Sequence, residues 1–199
     1  MKRSVVYIVA GLAAVLVLFA ITIGGTYNSM VASREGVRTS LAKVQSQYQR
    51  RADLVPNLVE TVKGAANFEQ STLTKVVEAR AKATSTTIDP SKATPEQLQQ
   101  YQAAQGELSQ ALGRLLAVTE NYPELKATEA FRDLQVQLEG TENRIATARN
   151  DFNDTAKSYN TSVQRFPANI VAGMFGFSTS PYFEADKGAD VAPKVNFGN

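Results

Sequence analysis

From Tyr27 onward, apolar residues return at alternating spacings of three and four, the mark of a helix with one apolar seam. The first series reads Tyr27, Met30, Arg34, Val37, Leu41, Val44, Tyr48, Arg51, Val55, Leu58, Val62 and Ala65, with arginine standing at two seam positions. It predicts one helix of about 60 Å at 1.5 Å per residue. Pro56 falls inside this series without shifting its phase. A proline cannot donate its backbone hydrogen bond and crowds the carbonyl four residues back, here that of Ala52. The pattern predicts a helix that kinks at Pro56 and continues, and it leaves the Ala52 carbonyl in need of a donor. Arg50 and Arg51 lie within a turn, in reach of that carbonyl or of a carboxylate on a neighbouring helix. An anion clamp built from the pair is disfavoured, because adjacent helical residues point about 100° apart.

Gly64 reads as a helix stop, and Asn67 with Gln70 approximates a capping box for a second helix from about 69 to 86. Leu73, Val76, Val77, Arg80 and Ala83 are its expected inward positions, although the spacing nearly carries across the break. Residues 85–95 (STTIDPSKATP) form a polar loop, and Thr94-Pro95 with Gln97 starts a third helix. Its seam is Leu98, Tyr101, Gln105, Leu108, Leu112, Leu115, Thr119 and Tyr122. The next seam begins two residues out of phase, about 200° of helix rotation, which predicts a turn near Asn121 to Pro123. The fourth helix is the most regular: Phe131, Leu138, Ile145, Phe152, Tyr159 and Phe166 stand seven apart, with Leu134, Thr141, Ala148, Thr155 and Ser162 between them. Large and small side chains in alternation let neighbouring helices interlock closely. Phe166-Pro167 ends it.

Residues 5–23 (VVYIVAGLAAVLVLFAITI) carry no charge and span roughly 29 Å as a helix, the hydrocarbon thickness of a bilayer. Lys2 and Arg3 precede the run. It is longer than the apolar stretch of a cleaved signal peptide, and no clean small-x-small cleavage site follows, so a retained anchor is the expectation. The positive-inside rule puts the N-terminus in the cytoplasm, against a weak counter-signal from Arg34 and Arg38. Ala10 and Ala14 offer a small-xxx-small pair for helix packing in the membrane.

If the four helices alternate in direction, the fourth returns toward the bilayer. Residues 169–177 (NIVAGMFGF) follow it, apolar but too short to span. Ile170, Val171, Met174, Phe175 and Phe177 are the candidate contacts with the membrane or a neighbouring protomer; a lid over the bundle end is the equal alternative. The closing stretch, SPYFEADKGADVAPKVNFGN, has no period and is expected to be extended and mobile.

Net charge is +2, and Lys2 with Arg3 accounts for it, which leaves the remainder balanced and argues against a nucleic-acid partner. Cysteine and histidine are both absent, removing disulfides, thiolate ligands and the usual metal ligands and general base. No phosphate-binding glycine loop or nucleophile elbow is present. Glu139 and Glu142 share a helical stretch with Arg144 and Arg149, a pattern of solvated charge pairing and not of acid-base chemistry. No cofactor and no catalytic residue is expected.

Several blocks resemble the LemA family of bacterial membrane proteins: RRADLVPNLVETVKG (50–64), ENYPELKA (120–127), QLEGTENRIATAR (137–149), Tyr159-Asn160, RFPANIVAGMFGF (165–177), and the closing SPYFEA and APKV. The likeness covers essentially the whole chain past the apolar run. It implies one N-terminal membrane helix and an antiparallel, mostly four-helix bundle, and it carries over no catalytic residue.

Together these readings give an all-α chain. An N-terminal transmembrane helix (1–25) precedes an antiparallel bundle of about four long helices (26–167), then an apolar segment and irregular tail (168–199). The expected role is a structural one: an envelope scaffold in the inner membrane, with its bundle on the periplasmic side. It would self-associate as a homo-oligomer and recruit envelope protein partners. The alternative is a sensory or ligand-binding bundle, which with only Met1 to Arg3 before the apolar run would need a partner's membrane helix to relay a signal.

Overall fold

One helix, α1 (Lys2–Lys63), carries both the apolar run and the first heptad seam. It runs through Gly24, Gly25 and Pro56 without a break and ends before Gly64. In this computed structural model residues 2–64, 68–90 and 93–184 are described. The remaining elements are α2 (Gln70–Ser85), α3 (Pro95–Thr119), the single turn α4 (Pro123–Lys126), α5 (Glu129–Gln164) and α6 (Ala168–Phe175), and no strand occurs among the described residues. Residues 5–22 of α1 are all exposed, and Ile23 is the first described position of α1 that is partly buried. The apolar run and the strut of the bundle are thus two stretches of one rod.

α5 packs along α1 in the opposite direction, because their seams match end to end. Met30 and Val37 share a core with Phe152, Tyr159 and Val163. Val55, Leu58 and Val62 share another with Phe131, Leu134 and Leu138. α2 and α3 form an antiparallel pair that joins the second cluster through Leu73, Val76, Leu108, Leu112 and Leu115. Only Leu98 and Tyr101 of α3 reach the first cluster. Four helices therefore pack together only at the far end; near α1's apolar run the partners are α5, α6 and an extended segment of chain.

Local signals explain the boundaries. Thr94 accepts from the Gln97 amide at 3.2 Å while the Gln97 side chain accepts from the Thr94 amide at 3.1 Å, a complete capping box ahead of Pro95. The α3–α5 turn falls at 120–122, as the phase slip requires, and continues as α4. α2 starts from Glu69 with no side-chain cap, and Asn67, Ala65 and residues 185–199 lie outside the described residues.

Four expectations need correction. Val77 is exposed and Thr72 buried in its stead, since the inner face of α2 follows Thr72, Leu73, Val76 and Ala83. Tyr122 is half-buried, its ring 4.9 Å from that of Phe68, because α3 has already ended. Phe166 is exposed, since α5 stops at Gln164 and the chain turns at Pro167. Residues 178–184 are extended as expected but firmly held to α5.

Candidate functional site

Among the described residues the one charged side chain buried inside the bundle is Arg51, 2% exposed, at the junction of the two apolar clusters. α1 delivers it from a seam position, so it has no route to solvent along its own helix. Its guanidinium donates to Glu142 of α5 at 2.9 Å, and to the backbone carbonyl and side-chain oxygen of Gln105 of α3 at 2.9 and 2.8 Å. Nε has no acceptor, and the group lies over the Tyr48 ring at 5.1 Å. Gln105 passes the network on, donating to the Ala83 carbonyl of α2 at 3.1 Å. One arginine thus ties α1 to α3 and α5, and through Gln105 to α2. A buried ion bound to fixed acceptors is costly to displace, so it marks one register of helix against helix.

Beside it lies the carbonyl that Pro56 frees. Arg80 Nε of α2 donates to Ala52 O at 2.8 Å. The required donor is therefore Arg80, and of the two arginines before the proline, Arg50 is exposed while Arg51 bridges to a neighbouring carboxylate. The pair does not converge into a clamp. Glu142 is also not paired along its own helix: it reaches Arg51 because it stands beside the buried Thr141 on the side of α5 facing α1. Arg144 donates instead to Thr141, Arg149 to the Glu184 carbonyl, and Glu139 accepts from Gln135.

Tyr101 and Tyr48 meet edge to face at 5.5 Å next to this layer. Burial pushes the Tyr101 hydroxyl well above the ordinary tyrosine range, reinforced by Tyr48 and opposed by Arg51. Gln45, Gln49, Thr84, Thr87 and Gln105 help line an open cleft of about 410 Å³ here, with amides and hydroxyls but no carboxylate. Among the described residues no cluster of three or more acidic side chains is placed to hold a metal ion.

The candidate contact residues divide at α6. Val171 and Phe177 turn inward, each 8% exposed, while Ile170, Met174 and Phe175 face outward. The Phe175 and Phe177 rings lie 4.9 and 5.6 Å from that of Tyr27, and Arg34 sits over Phe177 at 4.9 Å. Gly176 closes the helix at φ 70°, a conformation easy only for glycine, and lets the Phe177 amide reach back to Ala172 O at 2.9 Å.

Past α6 the chain runs back along α5, held by two asparagines seven residues apart. Asn160 donates to Ser180 O at 2.9 Å and accepts from Ser180 N at 2.7 Å. Asn153 does the same with Phe183, at 3.0 and 2.9 Å. Each amide imitates a neighbouring strand, and between them they align the chain so that Phe183 packs edge to face on Phe152 at 5.2 Å. Tyr159 donates to Ser178 O, and Gln102 and Arg149 to Glu184 O. The signal for this in the sequence is slight: each asparagine directly follows a core aromatic, Phe152 or Tyr159.

Comparison with known proteins finds relatives that cover most of the chain. The magnetosome protein MamQ 2 of Paramagnetospirillum magneticum is 28% identical over a 196-residue alignment covering 88% of this chain and 71% of that protein. MamQ of Magnetospirillum gryphiswaldense is 26% identical, covering 90% of this chain and 74% of its own. Protein LemA of Metamycoplasma hominis is 24% identical, with 86% and 78% covered. The LemA family model matches residues 40–197, a range that takes in the Arg51 layer, all of α2 to α6 and the extended segment held by Asn153 and Asn160. With that range matched, the chain belongs to the LemA family.

Proposed function

We propose that this protein is a single-pass, membrane-anchored bundle of the bacterial envelope with a structural role and no catalysis of its own. It sits in the inner membrane with the bundle on the periplasmic side, self-associates, and holds partner proteins at a fixed height above the bilayer. The observation that carries this reading is the continuity of α1: the segment long and apolar enough to cross a membrane and the central strut of the bundle are one helix, Lys2–Lys63. A mount without a hinge suits positioning. Two relatives bear names that attach them to a structure, the magnetosome, and not to a reaction, which agrees with a structural role.

A ligand-binding bundle that signals through a partner membrane protein is the second reading. Its support is the open polar cleft beside Arg51. Light scattering of the detergent-extracted chain separates the two: scaffolding requires a homo-oligomer, and a clean monomer with the apolar run intact counts against it. Protease added to spheroplasts is expected to digest the bundle; full protection would overturn the periplasmic placement.

A further inference from the structure

We propose that α6 is a second membrane contact, its outer face seated in the headgroup layer of the bilayer that α1 crosses. The inference rests on the anchor reading of residues 5–23 and adds a site to it.

Position comes first. The strongly apolar run ends at Ile23, and Ile23 is also the first partly covered position of α1, seven residues before the first buried one, Met30. The near edge of the bundle therefore coincides with the plane where α1 leaves the hydrocarbon. α6 is the element at that edge, because Phe175 and Phe177 pack on Tyr27. Tyr27 lies four residues past Ile23, about 6 Å along the axis. That distance falls within the interfacial layer of a bilayer.

Chemistry comes second. Ile170, Met174 and Phe175 are 55%, 66% and 50% exposed, and Phe166, just before the helix, is 76% exposed. Ile170 and Met174 stand one turn apart on the same side. Not one charged residue occurs from Phe166 through Phe183, while the exposed Arg165 borders the patch, placed to meet lipid phosphate. The patch is not a loosely held segment. Val171, Ala172 and Phe177 anchor its inner side in the core, which fixes the outer side in one direction. At eight residues, about 12 Å, α6 cannot span, but a short apolar face beside a span can lie in the interface. Lipid is the occupant that the placement selects, since the patch is continuous with the lipid-facing surface of α1.

The absence of tryptophan makes a direct test available, because one introduced indole reports alone. The 199-residue chain carrying Met174→Trp is reconstituted into phosphatidylcholine–phosphatidylglycerol vesicles whose lipids are brominated either near the headgroup or near the chain end. Leu12→Trp, near the middle of the apolar run, and Val136→Trp, exposed on the far half of α5, are the references. Met174→Trp is expected to emit to the blue of Val136→Trp and to lose more emission to shallow bromines than to deep ones. Leu12→Trp should show the reverse depth preference. If Met174→Trp escapes both quenchers while Leu12→Trp is quenched, the α6 contact is wrong and the anchor stands. If Leu12→Trp escapes as well, the anchor reading falls and this inference with it. Blue-shifted but unquenched emission at Met174→Trp would mean that protein covers the face, which also overturns the proposal.

Discussion

Replacing Arg51 by alanine removes a buried cation that joins α1, α3 and α5, and the cost follows from its partners. Its two bonds to Gln105 are inside the protein, so both Gln105 oxygens would lose a donor that water cannot easily replace. Hydrogen bonds from a charged donor contribute about 1.5–3 kcal/mol each, with non-additivity pulling the sum down. The Glu142 contact counts for less: that side chain is 41% exposed, so its freed charge is hydrated, and the pair is worth about 1 kcal/mol or less. We expect Arg51→Ala to lose about 3 kcal/mol, and Glu142→Ala about 1 kcal/mol. For a chain of this size the former lowers the Tm by about 6–12 °C. Denaturation followed by circular dichroism in mild detergent measures both. Arg51→Met combined with Gln105→Leu should recover most of the stability, since a packed apolar layer needs no donor. Equal costs for Arg51→Ala and Glu142→Ala would refute the reasoning, as would a loss under about 1 kcal/mol for Arg51→Ala.

Three further outcomes are expected. Arg80→Ala should cost about 1–2 kcal/mol in the native background but under about 0.5 kcal/mol with Pro56→Ala, which restores an amide donor to the Ala52 carbonyl; additive costs would sink that coupling. Asn153→Ala and Asn160→Ala should each expose residues 178–184 to proteolysis and raise their amide exchange, with helicity unchanged; unchanged cleavage would mean that Phe183 and the remaining bonds hold the segment without the asparagines. Tyr101 ionises in the unfolded chain near pH 10 but resists ionisation when folded, so its contribution is fully present below about pH 10 and is lost as pH rises above it. Stability should fall above that point, and Tyr101→Phe should flatten the fall; an identical slope would count against it.

The helices were legible because their seams are long and their phase is strict. Pro56 could be read as internal from phase alone, and the α3–α5 turn from a slip of two residues. Val77 and Phe166 were misplaced for one reason: a periodic pattern says where a seam would fall, but not how wide the neighbouring helix is or where it stops. Arg51 was legible as an oddity, since an arginine on a seam needs a partner, while the choice of Gln105 and Glu142 depends on which helices become neighbours. The same limit hid Arg80, whose seam position on α2 gives no hint of a carbonyl on α1. The extended segment over α5 was least legible, because backbone groups pair with Asn153 and Asn160 regardless of the side chains they carry.

The unbroken course of α1 makes the far end of the molecule a pointer. Lys63 stands 40 residues beyond Ile23, about 60 Å along a straight helix. Membrane helices commonly lean by about 20°, and a lean of that size would swing the tip sideways by about 20 Å. Local changes in lipid thickness or curvature at the base would then be magnified at the top, and, if copies self-associate as proposed, they would register the shape of the sheet they share as a change in the spacing between their tips.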